Sequence, residues 1–216
     1  MKRQKDGDYV QYGCGLCAPL SWRNFDVSPT LRLQKIPIVG EWMARTDRFP
    51  RFPDNVEYGD IVEGLPVSPE SCQAVYCSHV LEHLALDELR VALRNTFQYL
   101  APGGTFRMVL PDLKQHVREY LASDDPQAAH RFMQNTRLGE EHRPRGLQAF
   151  LRQLFGNSAH RWMWDFPSLT YELERAGFSS IRRAEYGDAS DPRFDDVEEK
   201  DRWENALGIE CTKPST

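Results

Sequence analysis

The sequence predicts an α/β fold, a mostly parallel sheet with helices on both faces, and three observations predict it. Short apolar runs of strand length alternate with stretches of helical spacing. The best of those runs, CQAVYC at Cys72 to Cys77, is compact, as a strand buried on both faces must be. Glycine, proline and aspartate punctuate the runs where the chain has to turn.

Taken in order, Asp8 to Tyr12 reads as a strand that ends in the turn Gly13-Cys14-Gly15. Arg23 to Val27 is a second extended piece, and Pro29 stops it because proline has no N–H for a ladder. Residues 31 to 55 are rich in Pro, Arg and bulky apolar groups and predict a short helix and an irregular loop. Val56 to Gly59 is strand-like, and Cys72 to Cys77 follows it. From Asp87 to Leu100 the apolar residues Leu89, Val91, Leu93, Phe97 and Leu100 recur at helical spacing, up to the terminator Ala101-Pro102-Gly103-Gly104. Thr105 to Leu110 is the next strand, closed by Pro111. Residues 112 to 165 read as a mainly helical cover over the strand ends, bearing arginine and histidine. Ser168 to Ala176 is a helix with Gly177 at its C′ position, followed by a strand over Ile181 to Tyr186. The acidic stretch Asp188 to Glu204 leads to the last apolar run, Ala206 to Cys211, and its part from Asp195 to Glu204 reads as a solvated surface loop or helix.

A chain of 216 residues supports one domain with a full core, and a second would be cramped. Hydrophobic residues at 40% and charged residues at 27% exclude a disordered polypeptide. A formal charge of −5 argues against a nucleic-acid binder held mainly by phosphate contacts. The charged opening MKRQKDGD does not resemble a signal peptide, and no run approaches the roughly 20 apolar residues of a membrane span. The five cysteines are odd in number and irregularly spaced, so a reduced, cytoplasmic protein is expected. Cys14 and Cys17 form a CxxC without a second close pair, which argues against zinc there.

In an open α/β sheet, ligands bind at the carboxyl ends of the strands where the strand order reverses. Gly13 and Gly15 belong there, because glycine takes φ > 0 and lets a ligand approach the backbone. Asp26, at the end of the next strand, can accept from both hydroxyls of a ribose, and Asp60 from an adenine amino group. Gly13-x-Gly15-x-x-Ala18 also fits a dinucleotide fingerprint, but Asp26 follows Gly15 too soon for that motif and for its phosphate-binding helix.

The succession VQYGCG, NFDVSP, YGDIVEGLPVSPESCQAVYCSHVLEHL and LAPGGTFRMVLPDL resembles the class I S-adenosylmethionine (SAM)-dependent methyltransferases of the type 11 group. Within that group it is similar to a subgroup with a shortened first helix, found in polysaccharide-biosynthesis settings. The likeness covers residues 8 to 122, and GNSAHRWMWDFPSLTYELERAGF resembles the same subgroup's end. The resemblance implies a Rossmann-like, seven-stranded sheet and SAM as methyl donor. It implies that Tyr12, Gly13, Cys14 and Gly15 face the methionine part, Asp26 and Val27 the ribose, Asp60 and Ile61 the adenine, and Ser78 and His79 the sulfonium. The chain departs from the family where an acid would precede the glycine turn, since Gln11 and Tyr12 stand there, and where Cys17 or Ala18 replaces a third glycine.

His79, Glu82 and His83 follow the fourth strand at spacings that share one helical face. That pattern suits a general base with an orienting carboxylate, a divalent metal, or an anchor for the following loop. His79, His83 and His160 are the candidate catalytic residues, and no metal is assigned. Between Ala128 and Trp164, His130, Arg131, Arg137, His142, Arg143, Arg145, Arg152, His160 and Arg161 lie beside Trp162 and Trp164. This group suits an anionic acceptor or a sugar face, or forms a solvated surface balanced by Glu140 and Glu141. The expected enzyme transfers a methyl group to an O or N atom of a small metabolite, sugar or glycan intermediate. It works without nucleic acid or a membrane span, as a monomer or homodimer. The alternatives are a binding module of the same fold without catalysis and a nucleic-acid methyltransferase.

Overall fold

The computed structural model describes residues 9–45, 51–139 and 159–215. The strands are β1 (Tyr9–Tyr12), β2 (Arg23–Asp26), β3 (Val56–Tyr58), β4 (Cys72–Ser78), β5 (Leu100–Pro111), β6 (Ser179–Ala184) and β7 (Ala206–Thr212). The helices are α1 (Pro29–Gln34), α2 (Pro37–Ala44), α3 (Leu86–Tyr99), α4 (Leu113–Leu121), α5 (Ala128–Asn135) and α6 (Phe166–Ala176). Among the described residues the strands form one seven-stranded sheet in the order β3-β2-β1-β4-β5-β7-β6. β1 to β5 are parallel and β7 is antiparallel to both its neighbours, so the fold is Rossmann-like and mostly parallel, as expected. The strand order reverses between β1 and β4, which places the ligand crevice at their carboxyl ends.

One face of the sheet carries Val10, Tyr12, Val75, Cys77, Phe106, Met108 and Ile209, buried under Leu89 and Leu93 of α3 and Leu169 and Leu173 of α6. Each of these leucines is fully buried and contributes about 1.5–3 kcal/mol of burial free energy. α3 starts where the Glu88 side chain accepts from the Ala85 N–H, at 2.8 Å. α6 is bounded by the Asp165 cap, which accepts from Ser168 N, and by Gly177 at φ 102°. The segment 31 to 55, expected as one short helix and a loop, instead holds α1 and α2, because Pro29 and Pro37 each open a new helix.

The opposite face is built differently. No helix joins β1 to β2, and the space it would fill is taken by residues 187 to 203. Phe194 and Val197 pack on Tyr9, Trp22, Ala74, Tyr76 and Val109. Trp22 Nε1 donates to the Arg193 carbonyl at 3.1 Å, and Tyr9 Oη donates to Asp191 at 2.7 Å. From Asp195 to Glu204, expected as a solvated surface, Asp195, Asp196, Glu199, Asp201 and Glu204 are exposed, while Val197 and Glu198 are buried, as is Phe194 just before them. Arg107 of β5, wholly buried on this face, supplies the countercharge. Its guanidinium pairs with Glu198, with Glu210 at 3.0 Å and with Asp188 at 2.9 Å, and donates to the Glu185 carbonyl at 2.6 Å. Further out on the same face, α1 places Leu31 against Val56 and Phe52.

Candidate functional site

The turns that follow β1 to β4 stand at the carboxyl edge of the sheet. Gly13 at φ 67° and Gly15 at φ 55° take left-handed backbone, which is costly for any residue with a Cβ. At Gly13 the Cβ position lies 2.1 Å from Val80 Cγ2, so the valine methyl closes over the turn. Gly15 has only the Arg202 guanidinium near its Cβ position, at 3.7 Å, so that side of the turn stays open. Asp26 ends β2 and ties the turn down: one oxygen accepts from Gly15 N at 3.0 Å and the other from Ser28 N at 2.8 Å. A carboxylate has about four lone-pair sites, so roughly two remain for a ligand's hydroxyls. Asp60 follows β3 and accepts from Val62 N at 2.8 Å through one oxygen.

The other expected donor residues differ in what they present. Ile61 is buried in the main core, and its carbonyl accepts from Asn95 at 2.7 Å. Val27 is exposed and Ser78 is buried at the end of β4. Tyr12 points into the core, where its hydroxyl meets Thr96 Oγ1 at 3.3 Å and burial holds its pKa well above the ordinary value. Cys14 is buried with its N–H on the Phe25 carbonyl; burial first and Asp26 second push its thiol up to about 12. Tyr12 and Cys14 thus offer backbone rather than side chains. Where the family carries an acid, Gln11 turns inward and donates to Asn24 and to the Cys17 carbonyl.

His79 stands at the crossover with φ 53°, a strained conformation for a residue with a Cβ. Its Nδ1 meets Glu82 Oε1 at 3.2 Å and its Nε2 the Arg202 carbonyl at 2.9 Å. Burial disfavours the charged ring, but those two acceptors outweigh it and set the His79 pKa above the ordinary imidazole value. With both ring nitrogens facing acceptors, His79 links β4 to the 200–203 turn and has no uncommitted lone pair.

His83 and His160 are brought together although 77 positions of numbering separate them, their rings 5.1 Å apart at 72°. The 3-10 turn Leu81–His83 supplies Glu82 and His83. Its Glu82 carbonyl accepts from Arg161 N at 2.8 Å and Trp162 N at 3.2 Å, which docks the segment bearing His160. His83 Nδ1 lies 3.1 Å from the Ala159 carbonyl, leaving Nε2 uncommitted. His160 is buried with Nδ1 unpartnered; burial first, then His83 and Arg137, hold its pKa below the ordinary value against Glu82 and the Thr136 carbonyl. Glu82 Oε2 is buried and also unpartnered. Trp162, 42% exposed, lies 5.9 Å from the buried Trp164 and offers an open aromatic surface beside the cluster.

Of the cover segment, His130 and Arg131 are exposed and Arg131 pairs with Asp125 at 2.6 Å. His142, Arg143, Arg145, Arg152, Glu140 and Glu141 lie outside the described residues. Two contributors escaped the sequence reading. Val80 carries no chemical signal, and Arg202 sits in the acidic run, 187 positions after Gly15, where only the β6–β7 fold-back reveals it.

A family model described as a methyltransferase domain matches residues 18–182. None of the curated proteins matches the chain by sequence. The crystal structure of a possible exported protein from Bordetella parapertussis is 13% identical, with a TM-score of 0.50, over 97% of this chain and 63% of that one. The CMeT domain of the citrinin polyketide synthase is 11% identical, also at 0.50, over 98% of this chain and 48% of that one. A SAM-dependent methyltransferase of Thermotoga maritima, a possible histamine N-methyltransferase, is 15% identical over 98% of this chain and 84% of its own, at 0.49. The chain spans about half to two thirds of the first two structures, and likeness at such identities is one of fold. With the family model covering most of its length and the strand order above, the chain belongs to the methyltransferase-domain family.

Proposed function

We propose that this protein is a SAM-dependent methyltransferase that methylates an O or N atom of a small metabolite, sugar or glycan intermediate. The observation that carries this reading is the set of residues at the carboxyl edge of the β1/β4 reversal. There Gly13 and Gly15 hold left-handed backbone, and the carboxylates of Asp26 and Asp60 close the next two strands. SAM supplies the activated methyl group, and the protein's part is alignment and proton handling. Asp26 binds the ribose hydroxyls through its remaining lone pairs, and Asp60 the adenine edge. Arg202, near Gly15, meets the methionine carboxylate and compensates for a turn that lacks the family's acid.

The acceptor side is the surface between His83, His160 and Trp162. Trp162 offers the open ring that a sugar face stacks on, and Arg161 stands beside it, 54% exposed and 3.6 Å from Glu88. A hydroxyl acceptor must lose a proton, and His83 and His160 each keep a ring nitrogen for it. The protein is a single domain over 1–216, with 112–165 as the cover and a glycan-assembly setting as the role that fits the family resemblance. No helix among the described residues is long and apolar enough to cross a membrane, and a cytoplasmic location is part of this reading.

Calorimetric titration with SAM and S-adenosylhomocysteine tests it, alongside Asp26→Ala and Arg202→Ala. Binding by the wild type, abolished in the first variant and weakened about tenfold or more in the second, is the expected result. A folded wild type that binds neither compound sinks the donor reading and favours a non-catalytic module of the same fold.

A further inference from the structure

We propose that Glu82, His83 and His160 form a binding site for one divalent transition-metal ion, zinc in the first instance. Among the described residues, a carboxylate oxygen of Glu82 and one imidazole nitrogen each of His83 and His160 lie within 4.8 Å of one another. In the same three residues, Glu82 Oε2 and His160 Nδ1 are buried with no hydrogen-bond partner among the described residues. Glu82 is 1% exposed and His160 8%. A buried carboxylate oxygen and a buried imidazole nitrogen left without partners are costly, and both kinds of atom can offer an electron pair to a cation. Only a cation, or a donor such as water, satisfies both together.

The surroundings have the form of a metal site's outer shell, in which each ligand is held by a second contact. Glu82 uses Oε1 for His79, at 3.2 Å. His83 uses Nδ1 for the Ala159 carbonyl, at 3.1 Å, which fixes Nε2 as the free atom. His160 has the Thr136 carbonyl on its ring. One carboxylate and two neutral imidazoles suit zinc and its first-row neighbours rather than calcium or magnesium, which take oxygen ligands. Ligand atoms on a tetrahedral zinc stand about 3.3 Å apart, given bonds of about 2.0–2.1 Å, so binding draws the three inward by about 1.5 Å at most. The half-exposed His83 side chain has room for that movement. Three protein ligands leave a fourth position open. Zinc takes the ring nitrogens that the acceptor reading above assigns to proton transfer, so in the zinc-bound protein an acceptor oxygen at the open position would lose its proton through polarisation by the metal instead; metal binding itself does not depend on that reading.

The test is titration of the metal-free full chain with Zn²⁺ by calorimetry, and with Co²⁺ by visible absorption, both without SAM. Glu82→Gln, His83→Asn and His160→Asn are compared, each checked for folding by circular dichroism. The expected result is one Zn²⁺ per chain, four-coordinate Co²⁺ bands, and at least a roughly 10–100-fold loss of affinity in each variant. His83 is the least buried of the three, so His83→Asn keeps the test valid if the others fail to fold. A folded wild type that binds no Zn²⁺, or one that binds it as tightly with His83→Asn as without, overturns the proposal. Zinc binding without SAM binding would leave the metal site standing and sink the donor reading; the reverse result would do the opposite.

Discussion

Replacing Gly13 by alanine tests the glycine turn on two grounds at once. The first is conformational: at φ 67° an L-residue costs about 1–2 kcal/mol relative to glycine. The second is steric, because the new Cβ would stand 2.1 Å from Val80 Cγ2, well inside van der Waals contact. Moving the valine out of a packed position costs about 1–3 kcal/mol more. Gly13→Ala should therefore lose about 2–5 kcal/mol, which for a chain of this size lowers Tm by about 4–20 °C. The two contributions separate in a double-mutant cycle with Val80→Ala, which removes the colliding methyl but not the backbone strain. Urea denaturation of the wild type, both single variants and the double variant gives the coupling, expected at about 1–3 kcal/mol in favour of the double. A Gly13→Ala protein within about 0.5 kcal/mol of wild type would refute the conformational argument. Additive variants would refute the steric one.

Arg107→Met leaves Glu198 buried without a countercharge and Glu210 with Arg182 alone, and should cost about 3–5 kcal/mol by urea denaturation, with looser protection of residues 187 to 203 in hydrogen exchange. The Glu172 carboxyl is held below the ordinary value chiefly by its hydrogen bonds to Arg90, against burial and with help from Arg175. A depressed carboxylate stabilises the fold above its unfolded value of about 4.3 and loses that contribution as pH falls through the folded value. The urea midpoint of Arg90→Gln should thus lie below wild type at neutral pH and converge on it in acid; a gap that widens in acid would contradict the pairing. Alkylation of the native protein should label Cys17 alone and slowly, since the other four thiols are buried; rapid labelling of Cys14, whose thiol is pushed up to about 12, would contradict the packing of the glycine turn.

Much of this molecule is written locally in the chain. Alternating strand and helix signals, Pro29, Gly177 and the Gly13–Gly15 turn are decided by residues within a few positions of each other, so the parallel sheet and its binding edge were legible. The places of Asp26 and Asp60 in the fold were legible too, because one ends a strand and the other lies two residues past one, and the pattern reveals both strands. What tertiary structure alone decided depends on pairs far apart in sequence. The acidic run from Asp195 reads as a solvated face by composition, yet Val197 and Glu198 within it are buried where the helix after β1 is missing, because Arg107 is buried opposite and balances the glutamate's charge. His79 looked like the first of three residues on one face, but it adopts a left-handed backbone and turns to the Arg202 carbonyl. It still meets Glu82 at 3.2 Å, and His160 joins Glu82 and His83 from a distant segment, carried there by backbone hydrogen bonds to Glu82 that no local pattern encodes. Periodicity records which face of an element is buried; only the closed fold, by burying charge and lone pairs together, decides which distant groups must satisfy one another.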